Sequence, residues 1–199
     1  MDGQRQVFLV TGTPGVGKTT VARGLAELLG GAYVGLSELA LKEGFITGYD
    51  EVRNTSVANM DGLSQRVSQL IEDEVGTLVV DGHFSQDVVP SHSVSIAFVL
   101  RRAPWVLKEE LEARGYSTDK VRENVESELV DVCLTETAEK LGADRLCEVD
   151  TTHRAPREVV ELMLAVAQGR EPCRYGHIDW LSREEARELL GESPDCTSS

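Results

Sequence analysis

The feature that most constrains the fold of this chain is a glycine-rich motif between an apolar segment and a helical pattern. The motif runs GTPGVGKT from Gly12 to Thr19, has the spacing G-x-x-x-x-G-K-[ST], and follows the apolar residues 7–10. In such a loop the glycines let consecutive backbone N–H groups point inward, the lysine meets the outer phosphates of a nucleotide, and the hydroxyl ligates Mg²⁺. An ordinary glycine-rich turn is the alternative. Because the motif requires a strand before it and a helix after it, and both patterns are present, the phosphate-binding loop is favoured.

The residues that follow the motif have the period of an amphipathic helix. Val21, Leu25 and Leu28 recur at spacings of three and four residues, and Gly30 provides a stop signal. The sequence therefore predicts a helix over residues 18–29. We expect its N-terminus to face the bound phosphates, since that end of a helix attracts anions.

Charge and composition limit the classes of partner. The chain has 199 residues, of which 41% are hydrophobic, and a formal charge of −14 from 34 acidic and 20 basic residues. This composition is typical of one globular domain. Because nucleic-acid binding requires a basic surface, strong direct binding of DNA or RNA is not expected. A basic protein partner fits the charge better, although the acidic residues could serve solubility alone.

The N-terminal residues and the cysteines indicate the compartment. Residues 1–6 have no apolar segment typical of a secretion signal, and no run of the sequence is long and apolar enough for a membrane span. We therefore expect a cytoplasmic protein with no membrane partner. The cysteines are sparse, irregularly spaced and without a C-x-x-C pair, so we expect reduced thiols and no zinc site. They are Cys133, Cys147, Cys173 and Cys196.

Apolar segments alternate with helical patterns along most of the chain. Strands are predicted at residues 7–10, 32–34, 77–80, 94–100 and 145–149, and helices at 18–29, 36–43, 61–74, 104–114, 118–141 and 156–168. The apolar runs are continuous, which indicates strands covered on both faces and predicts a doubly wound α/β domain with a parallel sheet. Two segments lie outside this pattern. We interpret residues 35–60 as a mobile insertion and residues from 169 onward as a C-terminal segment with a short helix near 182–190.

A carboxylate and an imidazole follow one of the predicted strands. Asp81 ends the run Leu78-Val79-Val80, where phosphate-binding proteins of this kind hold a carboxylate toward Mg²⁺. A turn aspartate before Gly82 is the alternative. His83 lies two residues further, so in extended backbone it leaves on the same side as Asp81. It could orient water or hold a loop, or it could be an ordinary surface histidine.

Arginines are candidates for neutralising phosphate charge, since guanidinium groups bind phosphate oxygens in pairs. Arg101 and Arg102 follow the predicted strand 94–100, at the end where doubly wound folds bind ligands. Arg114 ends a predicted helix and precedes Gly115, which is a hinge-like position for a lid, although a helix C-terminus also favours arginine.

Several motifs together resemble one family. They are GTPGVGKTT at 12–20, GYDE at 48–51, VVDGH at 79–83, VLRRAP at 99–104, and ARGYS and RENVESE within 113–128. In this order and spacing the chain resembles the adenylate kinase isoenzyme 6 family, the nuclear and archaeal-type adenylate kinases, over residues 7–166. The resemblance implies a three-layer P-loop NTPase of the nucleoside monophosphate (NMP) kinase type with a five-stranded parallel sheet. It implies a kinase domain at 1–168 with an NMP-binding insertion at 35–56 and a short lid at 113–123, followed by a C-terminal extension at 169–199.

The resemblance also implies an activity and partners. Members of this family transfer phosphate between ATP and AMP, giving two ADP, and hydrolyse ATP. They assist late maturation of the small ribosomal subunit through ribosomal protein uS11, a basic protein that would suit the acidic charge. Two alternatives are an assembly ATPase with only vestigial kinase activity and a kinase for another small acceptor.

Site residues are carried over by matching motifs. Lys18, Asp81, His83 and Arg114 are the expected catalytic residues, with Thr19 and Asp81 as the Mg²⁺ ligands. Arg114 would reach ATP from the lid. The expected ATP-phosphate ligands in the loop are Gly15, Gly17, Lys18, Thr19 and Thr20.

The acceptor site departs from the family pattern. Alignment on GYDE places Leu41 where many members carry an arginine that could hold the monophosphate. Lys42 is adjacent, but a lysine is a point charge and cannot replace a planar fork. Lys42, Tyr49 and Arg53 are the candidate NMP-binding residues.

Overall fold

The structure is a computed structural model that describes residues 5–50 and 55–191. Its strands are β1 (Gln6–Gly12), β2 (Ala32–Gly35), β3 (Ile46–Asp50), β4 (Thr55–Ala58), β5 (Thr77–Asp81), β6 (Val94–Arg101) and β7 (Leu146–Asp150). Its α-helices are α1 (Lys18–Leu29), α2 (Leu36–Lys42), α3 (Met60–Asp73), α4 (Ser85–Val88), α5 (Pro104–Ala113), α6 (Thr118–Leu129), α7 (Val132–Leu141), α8 (Pro156–Ala167) and α9 (Glu184–Leu189).

The central sheet has five strands in the order β2-β5-β1-β6-β7, and all its neighbouring strands are parallel. Each of the five predicted strands is present, four of them longer by one to three residues and the last shifted by one residue, and the predicted α/β fold is confirmed. The register pairs Val10 of β1 with Asp81 of β5. The glycine-rich loop after β1 therefore begins beside the carboxyl end of β5.

Alternate residues of β1 supply two separate cores. Phe8 and Val10 pack with helices α1, α5, α6 and α8, whereas Val7 and Leu9 pack with α2, α3, α4 and α7. These four strand residues are at most 1% exposed. This two-sided burial explains the continuous apolar runs, because successive side chains of a strand point to opposite faces.

The single helix predicted over residues 118–141 is wrong. The structure has two helices there, α6 and α7, separated by Asp131 in the left-handed region with φ 59°. Val125 of α6 packs on one face of the sheet and Leu134 of α7 on the other. The chain must turn between them, and the Asp131 carboxylate is held there by Arg101.

The segment predicted as an insertion contains α2 and an antiparallel hairpin of β3 and β4. The hairpin pairs Ile46 with Ala58 and Tyr49 with Ser56. Two buried residues of α2, Leu36 and Ala40, belong to the core that contains Val7 and Leu9 of β1. The sequence did not predict these two strands, because they are short and Tyr49 and other apolar residues on them are exposed.

The C-terminal segment is attached to β7. The backbone N–H of Glu148 donates to the carbonyl of Arg174 at 2.8 Å, and Trp180 is 5% exposed against Ala103, Leu129 and Trp105. The predicted terminal helix is present as α9. Among the described residues no helix is both long and apolar enough to cross a membrane.

The expectation of reduced thiols is wrong for one pair of cysteines. Cys147 of β7 and Cys173 of the C-terminal segment form a disulfide, with Cα atoms 5.1 Å apart. The two are 26 residues apart in sequence, and their proximity depends on how the C-terminal segment packs, which no local pattern reveals. Cys133 is free.

Candidate active site

The glycine-rich loop connects β1 to α1, and its glycines adopt conformations that other residues avoid. Gly15 has φ 102° and Gly17 has φ 95°, and α1 begins at the next residue, Lys18. A Cβ atom on Gly12 would lie 2.4 Å from the carbonyl oxygen of Leu100 on the neighbouring strand. Gly12 also has a positive φ of 133°, so the loop requires glycine for conformation at all three positions and for space at Gly12. The loop leads directly into the N-terminus of α1, the end of a helix that attracts anions.

Lys18 lies over the loop. Its Nζ donates to the carbonyl oxygens of Gly12 at 2.8 Å and Thr13 at 3.0 Å. Burial lowers the pKa of Lys18, while nearby negative groups, among them Asp81 and Glu128, oppose that change. The ammonium is thus held at the loop, where it could meet the outer phosphates of a nucleotide.

Asp81 is joined to the loop by a hydrogen bond. Thr19 Oγ1 donates to Asp81 Oδ2 at 2.7 Å, and the hydroxyl of Tyr33 donates to the same oxygen at 3.1 Å. Asp81 is 6% exposed. A hydroxyl and a carboxylate are oxygen ligands of the kind that Mg²⁺ prefers, so this pair fits the metal that ATP-dependent phosphate transfer uses.

Tyr33 was not predicted from the sequence as a site residue. Burial and the negative charge of Asp81 raise the pKa of Tyr33 to about 12, so its hydroxyl remains a donor at neutral pH. Arg23 lies over its ring at 4.2 Å. The available signal was its place in β2, which lies beside β5 in the sheet.

His83 lies at the rim of the site and is an exposed residue, although its imidazole is partly withdrawn from water by its neighbours. Removal of the imidazole from water lowers its pKa to about 4, and the positive charges of Lys18 and Lys120 act in the same direction. Its ring packs edge-on against Phe84, with centroids 4.8 Å apart. The imidazole is therefore neutral at pH 7 and can both donate and accept a hydrogen bond.

Arg114 reaches the loop from the end of α5. Its Nη1 donates to the carbonyl oxygen of Gly15 at 3.1 Å, and its side chain is 50% exposed. Thr20 is exposed in the first turn of α1. The structure thus brings Arg114 to the loop, at a distance of 99 residues in sequence.

Arg101 and Arg102 are not free to bind phosphate, contrary to the expectation from their place after β6. Arg101 is 1% exposed and bonds the carboxylates of Glu128, Glu148 and Asp131. Arg102 donates to the carbonyl oxygen of Thr151 at 2.7 Å and pairs with a glutamate of α5. Both guanidinium groups are engaged within the protein, and for Arg101 this depends on acidic residues 27 to 47 positions away in sequence.

The candidate acceptor residues lie on the insertion. Lys42 ends α2, is exposed, and lines a surface cavity of about 320 Å³ together with Arg23 and Tyr33. Tyr49 lies on β3 and is 58% exposed. Arg53 lies outside the described residues.

Two further residues beside the loop carried no predicted role. Glu128, in the RENVESE segment, accepts a hydrogen bond from Thr13 Oγ1 at 2.5 Å. Cys133 is near Lys18 and Thr13, and burial raises the pKa of its thiol to about 11. Sequence position gave no signal for either, since both belong to helical patterns in which such residues are ordinarily structural.

Comparison with known proteins identifies the family. The chain is 41% identical over 174 residues to a protein of Thermococcus onnurineus named "Putative adenylate kinase", covering 87% of this chain and 91% of that protein. A protein of the same name from Methanococcus maripaludis is 36% identical over 88% of this chain and 95% of its own length. The chain belongs to the archaeal-type adenylate kinase family. The resemblance seen in the motifs is thereby confirmed.

Two further comparisons agree with this archaeal-type adenylate kinase fold. A family model described as AAA domain matches residues 9–131, from β1 to the turn after α6. The solved structure of shikimate kinase from Acinetobacter baumannii superposes with a TM-score of 0.56 at 20% identity, over 85% of this chain and 96% of that one. A gluconokinase from Sinorhizobium meliloti gives a TM-score of 0.53 at 17% identity, over 83% and 93%. At these identities the two structures support the P-loop kinase fold.

Proposed function

We propose that this protein transfers the terminal phosphate of MgATP to a nucleoside monophosphate, with AMP as the first acceptor to test. The observation that carries the proposal is the hydrogen bond between Thr19 of the loop and Asp81 of β5, which joins a phosphate-binding loop to a carboxylate suited to Mg²⁺. The names of the archaeal relatives support the same reaction. A cytoplasmic location, where both nucleotides are available, belongs to this proposal.

In the proposed mechanism the protein positions the reactants and neutralises charge. The backbone of Gly15, Gly17 and Thr20 and the ammonium of Lys18 hold the phosphates, and Arg114 approaches them from the end of α5. Thr19 and the Asp81 carboxylate would hold Mg²⁺, whose positive charge would stabilise the negative charge that develops during transfer. An oxygen of the acceptor phosphate bonds to the terminal phosphorus of ATP while the bond to the bridging oxygen breaks, leaving ADP.

The short connection at residues 113–123 is proposed as the lid and residues 35–56 as the acceptor-binding insertion. Support for the lid comes from Arg114, near the start of this connection, which donates a hydrogen bond to the carbonyl oxygen of Gly15 in the glycine-rich loop. Support for the insertion comes from its hairpin and from Lys42 and Tyr49, which it carries. Closure of these segments would exclude water from the transferred phosphate.

Substitution of Lys18 tests the reaction. We expect Lys18→Ala to reduce ATP- and AMP-dependent ADP formation in a coupled assay at least about 100-fold, because the charge that meets the phosphates is lost. Lys108→Ala, at an exposed lysine of α5, is the matched control and should retain wild-type turnover. Undiminished turnover of the Lys18 variant would remove the loop from the mechanism.

Acceptor choice is the second part of the proposal. Leu41 is 75% exposed at the position where the motif resemblance implies an arginine in many family members, so the monophosphate would be held with less directional charge. We therefore propose broad acceptor specificity, and a kinase for another small acceptor is the competing possibility. A screen of AMP, CMP, dAMP and simple alcohols separates them. Turnover with an alcohol but with no monophosphate would refute the NMP kinase proposal.

A second candidate function is an ATPase that assists late maturation of the small ribosomal subunit through ribosomal protein uS11. The net charge of −14 favours it, because an acidic surface attracts a basic protein. The neutral imidazole of His83 at the rim of the site could orient an attacking water. His83→Ala should slow ATP hydrolysis more than transfer to AMP. Equal losses, or no retention of uS11 in a pull-down with or without ATP, would count against this function.

A further inference from the structure

Glu128 is a buried residue beside the phosphate loop, and its carboxylate accepts hydrogen bonds from several separate parts of the chain. Its Oε2 accepts from Thr13 Oγ1 at 2.5 Å. Its Oε1 accepts from Arg101 Nε at 2.8 Å, from Trp180 Nε1 at 3.0 Å and from the backbone N–H of Arg102 at 3.2 Å. The side chain is 2% exposed. Every polar atom of this carboxylate is therefore committed, and one of its partners is a residue of the loop.

The segment that carries Trp180 is held against the sheet by several contacts. The backbone N–H of His177 donates to Glu148 Oε2 at 3.0 Å, and Cys173 is bonded to Cys147 of β7. Trp180 itself packs edge-on against Trp105, with ring centroids 5.7 Å apart. The segment that ends at Trp180 is thus fixed at both ends, by β7 and by the indole contacts.

We propose that the C-terminal extension positions the phosphate loop through Trp180 and Glu128. The indole N–H fixes one oxygen of the carboxylate, and the other oxygen fixes the hydroxyl of Thr13. The carbonyl of Thr13 in turn accepts from Lys18 Nζ at 3.0 Å. Trp180 is a positioning residue in this scheme, since it acts on nucleotide binding through Glu128 and the loop.

A purely structural role for Trp180 predicts a different result. If the indole only fills space, its replacement by phenylalanine lowers stability but leaves the nucleotide affinity of the folded protein unchanged. If it positions the loop, affinity falls in protein that remains folded. The inference rests on the proposed function only in that the loop must bind ATP.

The test compares two tryptophan variants of the full chain. Trp180→Phe removes the donor to Glu128, whereas Trp105→Phe removes an indole N–H for which no hydrogen bond is found among residues 5–50 and 55–191. Calorimetric titration with a non-hydrolysable ATP analogue and Mg²⁺ should show an about fivefold higher Kd for Trp180→Phe, as expected for one weakened hydrogen bond. Trp105→Phe should stay within about twofold. Circular dichroism checks that both variants are folded.

A double-mutant cycle tests whether Trp180 acts on nucleotide binding through Glu128 and Thr13. Thr13→Val removes the hydroxyl that bonds Glu128, so adding Trp180→Phe to it should weaken binding little further. An undiminished effect of Trp180→Phe in the Thr13→Val background overturns the inference, as does a Kd equal to that of Trp105→Phe. Failure of the wild-type protein to bind the analogue would instead refute the proposed function.

Discussion

Replacement of Arg101 by methionine should destabilise this protein by about 3–5 kcal/mol, the cost of removing one partner from a buried ion pair. The Arg101 side chain is 2% exposed, and its carboxylate partners Glu128 and Glu148 are 2% and 0% exposed. Nε bonds Glu128 at 2.8 Å and Nη1 bonds Glu148 at 2.7 Å. Hydrogen bonds between charged groups contribute about 1.5–3 kcal/mol each, so two give about 3–6 kcal/mol, which covers the range expected for breaking a buried ion pair. Asp131 is 34% exposed and adds less, because water can replace its partner.

Most of the stability lost in Arg101→Met should come from one of the buried carboxylates, that of Glu148. Without Arg101, Glu128 keeps three donors, the hydroxyl of Thr13, the indole of Trp180 and the backbone N–H of Arg102, whereas Glu148 keeps only His177, through its backbone N–H and its ring Nδ1 at 3.3 Å. The double variant Arg101→Met with Glu148→Leu should therefore recover part of the stability, because it removes the buried carboxylate that is left with the fewer partners.

Urea unfolding followed by tryptophan fluorescence in non-reducing buffer measures these differences. Arg157→Met is the matched control, since Arg157 is 89% exposed in an ion pair along α8, and it should unfold close to the wild-type midpoint. The reasoning is refuted if Arg101→Met costs less than about 1 kcal/mol, the value of an exposed pair. A double variant less stable than Arg101→Met alone would refute the assignment to Glu148.

Three further predictions concern the site. Tyr33→Phe removes one of two donors to Asp81, and we expect an about three- to tenfold higher Mg²⁺ concentration for half-maximal activity; unchanged Mg²⁺ dependence in a folded variant would contradict this. Burial raises the pKa of the Cys133 thiol from the ordinary 9.0 to about 11, so less of it is present as the reactive thiolate. In a Cys196→Ser background, alkylation of Cys133 by iodoacetamide at pH 8 should therefore be about 100-fold slower than for an unperturbed thiol, and mass spectrometry measures this rate. Gly12→Ala places Cβ 2.4 Å from a backbone oxygen and should abolish binding of the ATP analogue in calorimetry, and wild-type affinity would show that the strands can separate.

The parts of the fold that sequence patterns predicted correctly are those that depend on neighbours along the chain. The glycine-rich loop, the strand before it and α1 follow from residues 7–29 alone. The position of Asp81 beside the loop follows from the same local patterns, because a parallel sheet brings the carboxyl ends of its strands to one edge.

The parts that were missed depend on distant contacts. Glu128 stands in a helical pattern where glutamate is usually solvated, and it is buried by Arg101 and Trp180, which are 27 and 52 residues away. The same burial engages the guanidinium of Arg101 with carboxylates of the protein, so this arginine is not free to bind phosphate. The break at Asp131 has the same origin, because the helix divides where the chain passes from one face of the sheet to the other.

Glu128 also explains how an acidic cluster can adjoin a site for anions. A carboxylate near phosphates is unfavourable in itself because the two negative charges repel each other. Here, however, the charges of Asp81 and Glu128 oppose the lowering of the Lys18 pKa by burial. The same carboxylate bonds Thr13, whose carbonyl holds the ammonium. Glu128 thereby favours both the charge and the placement of Lys18, and its remaining negative charge is compensated by Arg101 on the side away from the loop. In the proposed mechanism the buried acid thus assists phosphate binding, because its charge raises the pKa of the lysine that would meet the phosphates.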